Sequence, residues 1–152
     1  MKYLRSIINE SQRLYPIVPS NSREALHDTT LPRGGGLDGR SPILVPKGCY
    51  VAYHTYSMHR RTDIFGLDAD QFKPERWLEP GFRPGWAYIP FSGGPRVCIG
   101  QNFALTETMF VIVRLMQLFD VESRDEAVWR EKLSITCTGD GGCKVGLKRR
   151  RE

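Results

Sequence analysis

The residues with the most capacity for chemistry fall in one run, Phe91-Ser92-Gly93-Gly94-Pro95-Arg96-Val97-Cys98-Ile99-Gly100. A cysteine binds a metal as its thiolate, and this run carries what a loop needs to present one. Arg96 places positive charge beside Cys98 in the chain. A helix expected to start at about residue 99 adds the positive end of its dipole and its free amide groups at the same place. Gly93, Gly94 and Pro95 supply a tight bend. Gly100 removes a side chain where the ligand needs room, and Phe91 acts as an apolar plug that keeps water from the sulfur. The bland alternative is an inert core cysteine ahead of an apolar helix, which is the ordinary fate of such a residue. The other cysteines, Cys49, Cys137 and Cys143, lack these surroundings and take structural or incidental roles. No Cys-x-x-Cys pair occurs among the four, which argues against a disulfide scaffold or a structural zinc site and fits a reducing compartment.

The elements that must hold this loop can be read from pattern. Leu4, Ile7, Ile8, Leu14 and Tyr15 follow helical spacing until Pro16, so a helix is expected over residues 1–15. Residues 16–58 form a β region, with short extended pieces at 18–23, 29–32 and 43–46 and a strand over 50–58. The run Gly34-Gly35-Gly36 reads as a hairpin connection. Residues 59–90 are expected to be an irregular meander with one short helix near 67–72. A second long helix over 99–119 is apolar around nearly its whole circumference, so both of its faces are expected to be buried. Residues 120–152 hold a β-hairpin and tail, with strands at 133–137 and 144–148 joined by the turn at 138–142. With 40% apolar residues a real core is available. Even so, one other long helix and a few strands are thin cover for an all-apolar helix, and the sequence looks like part of a larger fold. The net charge of +5 owes much to Lys148, Arg149, Arg150 and Arg151, which read as a solvated tail. No nucleic-acid partner is expected. Met1 opens directly into a helical pattern, with no signal peptide or membrane span in view.

The complete pattern Phe-x-x-Gly-x-Arg-x-Cys-x-Gly resembles the haem-binding signature of the cytochrome P450 family. Two further blocks occur in the family's order: Glu10-Ser11-Gln12-Arg13, and Phe72-Lys73-Pro74-Glu75-Arg76-Trp77. Alone, Glu10 and Arg13 are a common surface pair of little energetic weight. The resemblance implies that Glu10, Arg13 and Arg76 form a cluster pinning the meander to the core, a structural and not a catalytic role. It implies haem b as cofactor, with Cys98 as the axial thiolate and Phe91, Gly94, Arg96 and Gly100 around it. Arg23 and Arg96 are the implied partners of the two haem propionates, which need charge-assisted donors; the bland reading of Arg23 is a solvated strand-end residue. His59, within Met58-His59-Arg60-Arg61, sits in a family block but equally reads as a surface residue, and it is not assigned as an iron ligand.

The implied fold is α+β here, mostly α in the full family, namely the C-terminal part of a single P450 domain. The implied activity is oxygen insertion into a C–H bond of a small apolar substrate. Molecular oxygen is co-substrate, and an NADPH-dependent flavoprotein reductase supplies electrons. The blocks at 21–36, 58–66 and 76–77 look most like fungal P450s that hydroxylate n-alkanes and fatty acids. Residues 18–22 and 137–142 correspond to substrate-contacting regions. The family's oxygen-activating residues and membrane anchor precede the Glu-x-x-Arg helix, so no catalytic residue is expected within this chain. The family's place is the cytosolic face of the endoplasmic reticulum membrane. The alternative is a truncated, non-catalytic haem-binding remnant.

Overall fold

The structure is a computed structural model and describes residues 1–126, 128 and 130–150. Arg151 of the basic run, and residues 127, 129 and 152 of the expected terminal segment, lie outside the described residues. The chain divides into two compact units, one made of Met1–Pro19 with Thr55–Glu152 and the other of Ser20–His54.

The smaller unit is all β. Strand β1 (Asn21–Glu24) pairs antiparallel with β4 (Tyr50–Tyr53), in the register Asn21↔Tyr53 to Glu24↔Tyr50. Between them, β2 (Thr29–Gly35) and β3 (Ser41–Val45) form a hairpin. The glycine run closes this hairpin as expected, but β2 continues through Gly35 instead of stopping at residue 32. Gly35 belongs there for space: a Cβ on it would lie 2.5 Å from the backbone oxygen of Pro42 on the facing strand. The strand expected over 50–58 is shorter than its composition suggests. It ends at Tyr53, and Thr55–Met58 instead forms a single helical turn, α2. The amide of His59 donates to the Thr55 carbonyl at 2.9 Å, and the amide of Tyr56 donates to the Pro19 carbonyl at 3.1 Å. These fixed bonds override the β preference of Thr55 and Tyr56.

The larger unit opens with α1 (Lys2–Leu14), whose buried face carries Ile8, Glu10, Arg13 and Leu14. A charged pair on the inner face of a helix is unusual unless partners await it. The meander supplies them. Its short helix is α3 (Thr62–Phe65), five residues ahead of the expected site at 67–72. A 3-10 segment, Pro74–Leu78, then packs on α1 with Arg76 inward. Pro74 suits its first position, because that residue needs no backbone donor. A second 3-10 turn, Gly85–Ala87, leads to the cysteine run.

Helix α4 (Gln101–Leu118) begins two residues later than expected, with Gly100 as N-cap. The expectation that both of its faces are buried does not hold, since Leu105 is its only buried residue. Phe103 is 72% exposed, Phe110 64% and Met116 50%. The terminal strands also differ from expectation. β6 (Glu131–Leu133) pairs with β7 (Cys137–Gly139), and β8 (Val145–Arg149) pairs with β5 (Phe119–Ser123) directly after α4. The turn at 138–142 therefore does not join two partners. Asp120 lies opposite Lys148, and Arg150 Nε donates to Asp120 Oδ1 at 2.8 Å, so complementary charge favours this longer-range register. No helix among the described residues is long and apolar enough to cross a membrane.

The close approach at Gly35 yields a prediction. Gly35→Ala should destabilise the 20–54 unit by about 1–3 kcal/mol, because a backbone oxygen cannot swing aside as a side chain can. A lowered denaturant midpoint would register this, and an unchanged midpoint would contradict the hairpin geometry.

Candidate haem-thiolate site

The carboxylate of Glu10 has no exposure to water and accepts five hydrogen bonds, each 2.9 Å long. Oε1 takes Arg13 Nη2, the amide of Lys73 and Arg76 Nε, while Oε2 takes Arg13 Nε and the indole Nε1 of Trp77. Arg13, equally buried, satisfies its remaining N–H groups on backbone: Nη1 donates to the carbonyls of His59 (2.9 Å) and Ala69 (2.6 Å), and Nη2 to that of Gln71 (3.1 Å). Arg76 reaches the Phe65 carbonyl at 2.7 Å and Asp68 through both side chain and backbone. Helix α1 thus holds residues 59–77 by a fan of charge-assisted bonds, for which a planar guanidinium is suited and a lysine is not. Glu10, Arg13 and Arg76 are together and buried, so the surface-pair reading of Glu10 and Arg13 is wrong. Burial alone would raise the Glu10 pKa, but the hydrogen bonds from Arg13, Lys73, Arg76 and Trp77 outweigh it and hold the group below the usual carboxylate value.

His59 is also wholly buried, which excludes the surface reading. Its Nε2 accepts the amide of Ile89 at 2.9 Å, and its ring lies 5.1 Å from that of Tyr88. Burial, aided by the nearby Arg13 and Arg60 charges, lowers its pKa to about 4. The backbone at Gln12 and Arg13 works the other way, yet Nδ1 makes no hydrogen bond. Sequence reasoning missed His59, Lys73 and Trp77 as members of this network. Lys73 and Trp77 flank Arg76 within the quoted block, but nothing in a sequence says that a particular amide or indole turns toward a carboxylate.

The cysteine run leaves this core at residues 88–90. The Tyr88 hydroxyl donates to the Asn9 carbonyl at 3.1 Å, and the amide of Ser92 donates to the Ile89 carbonyl at 3.0 Å. Ser92 (φ 64°) and Gly94 (φ 67°) are both left-handed, and the chain reverses between them and a 3-10 turn at Gly94–Arg96. Only glycine takes that conformation without cost. At Gly93 a Cβ would run into the Trp86 ring. The loop is closed by the amide of Cys98, which donates to the Phe91 carbonyl at 2.9 Å. The Phe91 backbone therefore holds the cysteine directly, in addition to any shielding by its ring.

Cys98 is a free, exposed thiol. Val97 beside it is 47% exposed and Ile99 fully so, which leaves an apolar surface around the sulfur. The only atom near a Cβ built on Gly100 would be Cys98 Sγ, at 3.9 Å, and a Cβ on Gly94 would meet nothing. Open space beside the exposed Val97 and Ile99, next to an exposed thiol, would fit a flat and largely apolar cofactor held through Cys98. Arg96 is exposed and has no hydrogen bond or ion pair among the described residues, so its guanidinium is available to an anion. Arg23 sits on β1 of the smaller unit, where Nη1 donates to Asn21 Oδ1 (3.2 Å) and to the Ser22 carbonyl (2.7 Å). Its guanidinium also lies 5.7 Å from the Tyr53 ring.

A glycine-bent loop thus presents one exposed cysteine, and a buried Glu-Arg-Arg cluster braces the segment from which that loop departs. The family model described as Cytochrome P450 matches residues 1–137. The chain is 52% identical over 149 residues to cytochrome P450 monooxygenase himC of Aspergillus japonicus, covering 97% of the chain and 26% of that protein. It is 58% identical over 150 residues to cytochrome P450 52A3-B of Candida maltosa, covering 97% of the chain and 29% of that protein. The chain belongs to the cytochrome P450 family, whose cofactor is haem with a thiolate ligand. It spans little more than a quarter of the length of these relatives.

Buried Glu10 and His59 set an acid limit. His59 is neutral in the folded protein until about pH 4, whereas its unfolded value is 6.5. The unfolded chain therefore binds the extra proton between these values, and stability rises with pH across that window. The span corresponds to about 3 kcal/mol. Glu10, depressed when folded, adds a further loss as pH falls below 4.5. Denaturant unfolding as a function of pH should show stability complete above pH 6.5 and falling toward pH 4, with a shallower slope in His59→Gln. Equal slopes in the two proteins would contradict the burial of a neutral His59.

Proposed function

We propose that this sequence forms the proximal side of the haem site in a monooxygenase, with Cys98 as the iron ligand. The observation that carries this reading is the Cys98 thiol itself, tied by its own amide to Phe91 and facing open space beside Gly100. When bound, the haem supplies oxygen activation, with electron donation from the thiolate as the protein's lever on the iron. The residues of this chain have more limited tasks. Gly94 and Gly100 keep the approach clear, the Phe91 carbonyl holds the Cys98 amide, and Arg96 pairs with a propionate. The matching role for Arg23 rests on the family resemblance alone. Glu10, Arg13 and Arg76 keep the meander, and hence the start of the loop, in one place.

The substrate read from this is a small apolar molecule such as an n-alkane or fatty acid, hydroxylated with molecular oxygen. Electrons would come from an NADPH-dependent flavoprotein reductase at the cytosolic face of the endoplasmic reticulum. Support for the substrate class comes from the blocks at 21–36, 58–66 and 76–77, and the groups that activate oxygen belong to the part of the family fold that precedes the Glu-x-x-Arg helix.

The ferrous carbon monoxide spectrum tests the ligand. The haem-loaded protein should give the strongly red-shifted Soret band of thiolate-bound haem, and Cys98→Ala should abolish the shift. A red-shifted band that survives Cys98→Ala, or a purified protein that holds zinc in place of haem, would overturn the assignment.

A further inference from the structure

We infer that His59 is a positioning residue for the cysteine loop, acting as a neutral hydrogen-bond acceptor that fixes where the loop leaves the core. The inference rests on the reading of Cys98 as iron ligand and adds a residue to it.

Regular secondary structure does little to anchor the loop. Residues 79–93 belong to no strand, and only the short 3-10 turn at Gly85–Ala87 interrupts them. Among the bonds that tie this stretch to the core are the Tyr88 hydroxyl on the Asn9 carbonyl and the Ile89 amide on His59 Nε2. The second is the inner one, made to a side chain with no exposure to water. Ile89 is followed by Pro90, which has no amide to offer, so His59 takes the last backbone donor before the loop turns. From there the chain of bonds is short. The Ile89 carbonyl accepts the Ser92 amide, and the Phe91 carbonyl accepts the Cys98 amide.

His59 is in turn fixed from the opposite side. Its carbonyl accepts Arg13 Nη1 at 2.9 Å, its amide donates to Thr55, and its ring lies against Tyr88, which stands 4.5 Å from the Trp77 ring. A continuous path of bonds therefore runs from the Glu10 carboxylate through Arg13, His59, Ile89 and Phe91 to Cys98. In it, His59 is the one side chain that touches the loop segment. The chemistry also fixes its form: an imidazole nitrogen that accepts an N–H must be unprotonated, so the ring proton resides on Nδ1. A second proton would have to sit on Nε2, where it would meet the Ile89 N–H out of reach of water. A buried side chain whose ring nitrogen holds a loop amide has a definable task there.

Two variants separate tethering from mere filling of space. His59→Phe keeps the ring and its stacking but removes the acceptor; His59→Gln returns an acceptor oxygen at similar reach. In the haem-loaded protein, His59→Phe should lose more than half of the red-shifted carbon monoxide band to the unshifted form, and His59→Gln should regain most of it. Equal band shapes in His59→Phe and the unsubstituted protein would overturn the inference. Should His59→Phe fail to fold, hydrogen exchange of the unsubstituted protein decides: the Ile89 amide should exchange at least about tenfold more slowly than exposed loop amides. Exchange at the exposed rate would overturn the tether. A missing red shift in the unsubstituted protein would count against Cys98 as ligand, while the Ile89 amide would still report on His59.

Discussion

Glu10 carries a full negative charge in a place that water does not reach, and the arrangement around Cys98 depends on how that charge is satisfied. Five donors from two arginines, one indole and one backbone amide converge on its two oxygens. Such a cluster is poor evidence for net stability, because the cost of removing three charged groups from water offsets much of their attraction. What it supplies is uniqueness. Losing one member of a buried ion pair costs about 3–5 kcal/mol, so alternative placements of the meander that leave Glu10 or Arg13 unpartnered are strongly disfavoured. A segment with almost no regular structure thereby acquires a single position relative to α1, and the cysteine loop inherits that position.

The same physics explains which parts were legible from sequence. Helix α1 was readable because its apolar spacing ends at Pro16, and the cysteine loop because Gly93, Gly94, Pro95 and Arg96 each have a local reason to be there. The joining of Glu10 and Arg13 to Arg76 was not readable from spacing. It came from resemblance, since residues more than sixty positions apart reveal no pairing on their own. His59 illustrates the gap: one histidine among charged neighbours looks like a surface residue until its burial is known. The terminal strands failed for a related reason. The turn at Gly139-Asp140-Gly141-Gly142 is a strong local hairpin signal, yet β8 pairs with β5, across more than twenty intervening residues, where Asp120 meets Lys148. Local turn chemistry proposes a partner, and tertiary contacts choose another.

Helix α4 marks the boundary of what this sequence satisfies by itself. Its residues are apolar around the circumference, as pattern reading found, but only Leu105 is buried. Phe103 and Phe110, seven residues apart, share one exposed face, and Met116 is exposed on another side, which is more than a scattered surface hydrophobe would explain. The chain spans little more than a quarter of the length of relatives to which it is about half identical. The features that hold the thiol, by contrast, are all within the described residues: the loop bond, the open space at Gly100, and the bracing path through His59 and Arg13. The bracing of the Cys98 loop is therefore a local property of this sequence, whereas a covered α4 is not.

Iron-edge X-ray absorption on the haem-loaded protein tests the central claim most directly, comparing a variant in which Cys49, Cys137 and Cys143 are all serine with Cys98→Ser. If Cys98 is the ligand, the triple variant keeps a single sulfur in the iron's first coordination shell and Cys98→Ser loses it. A sulfur that disappears in the triple variant, or persists in Cys98→Ser, would contradict the account.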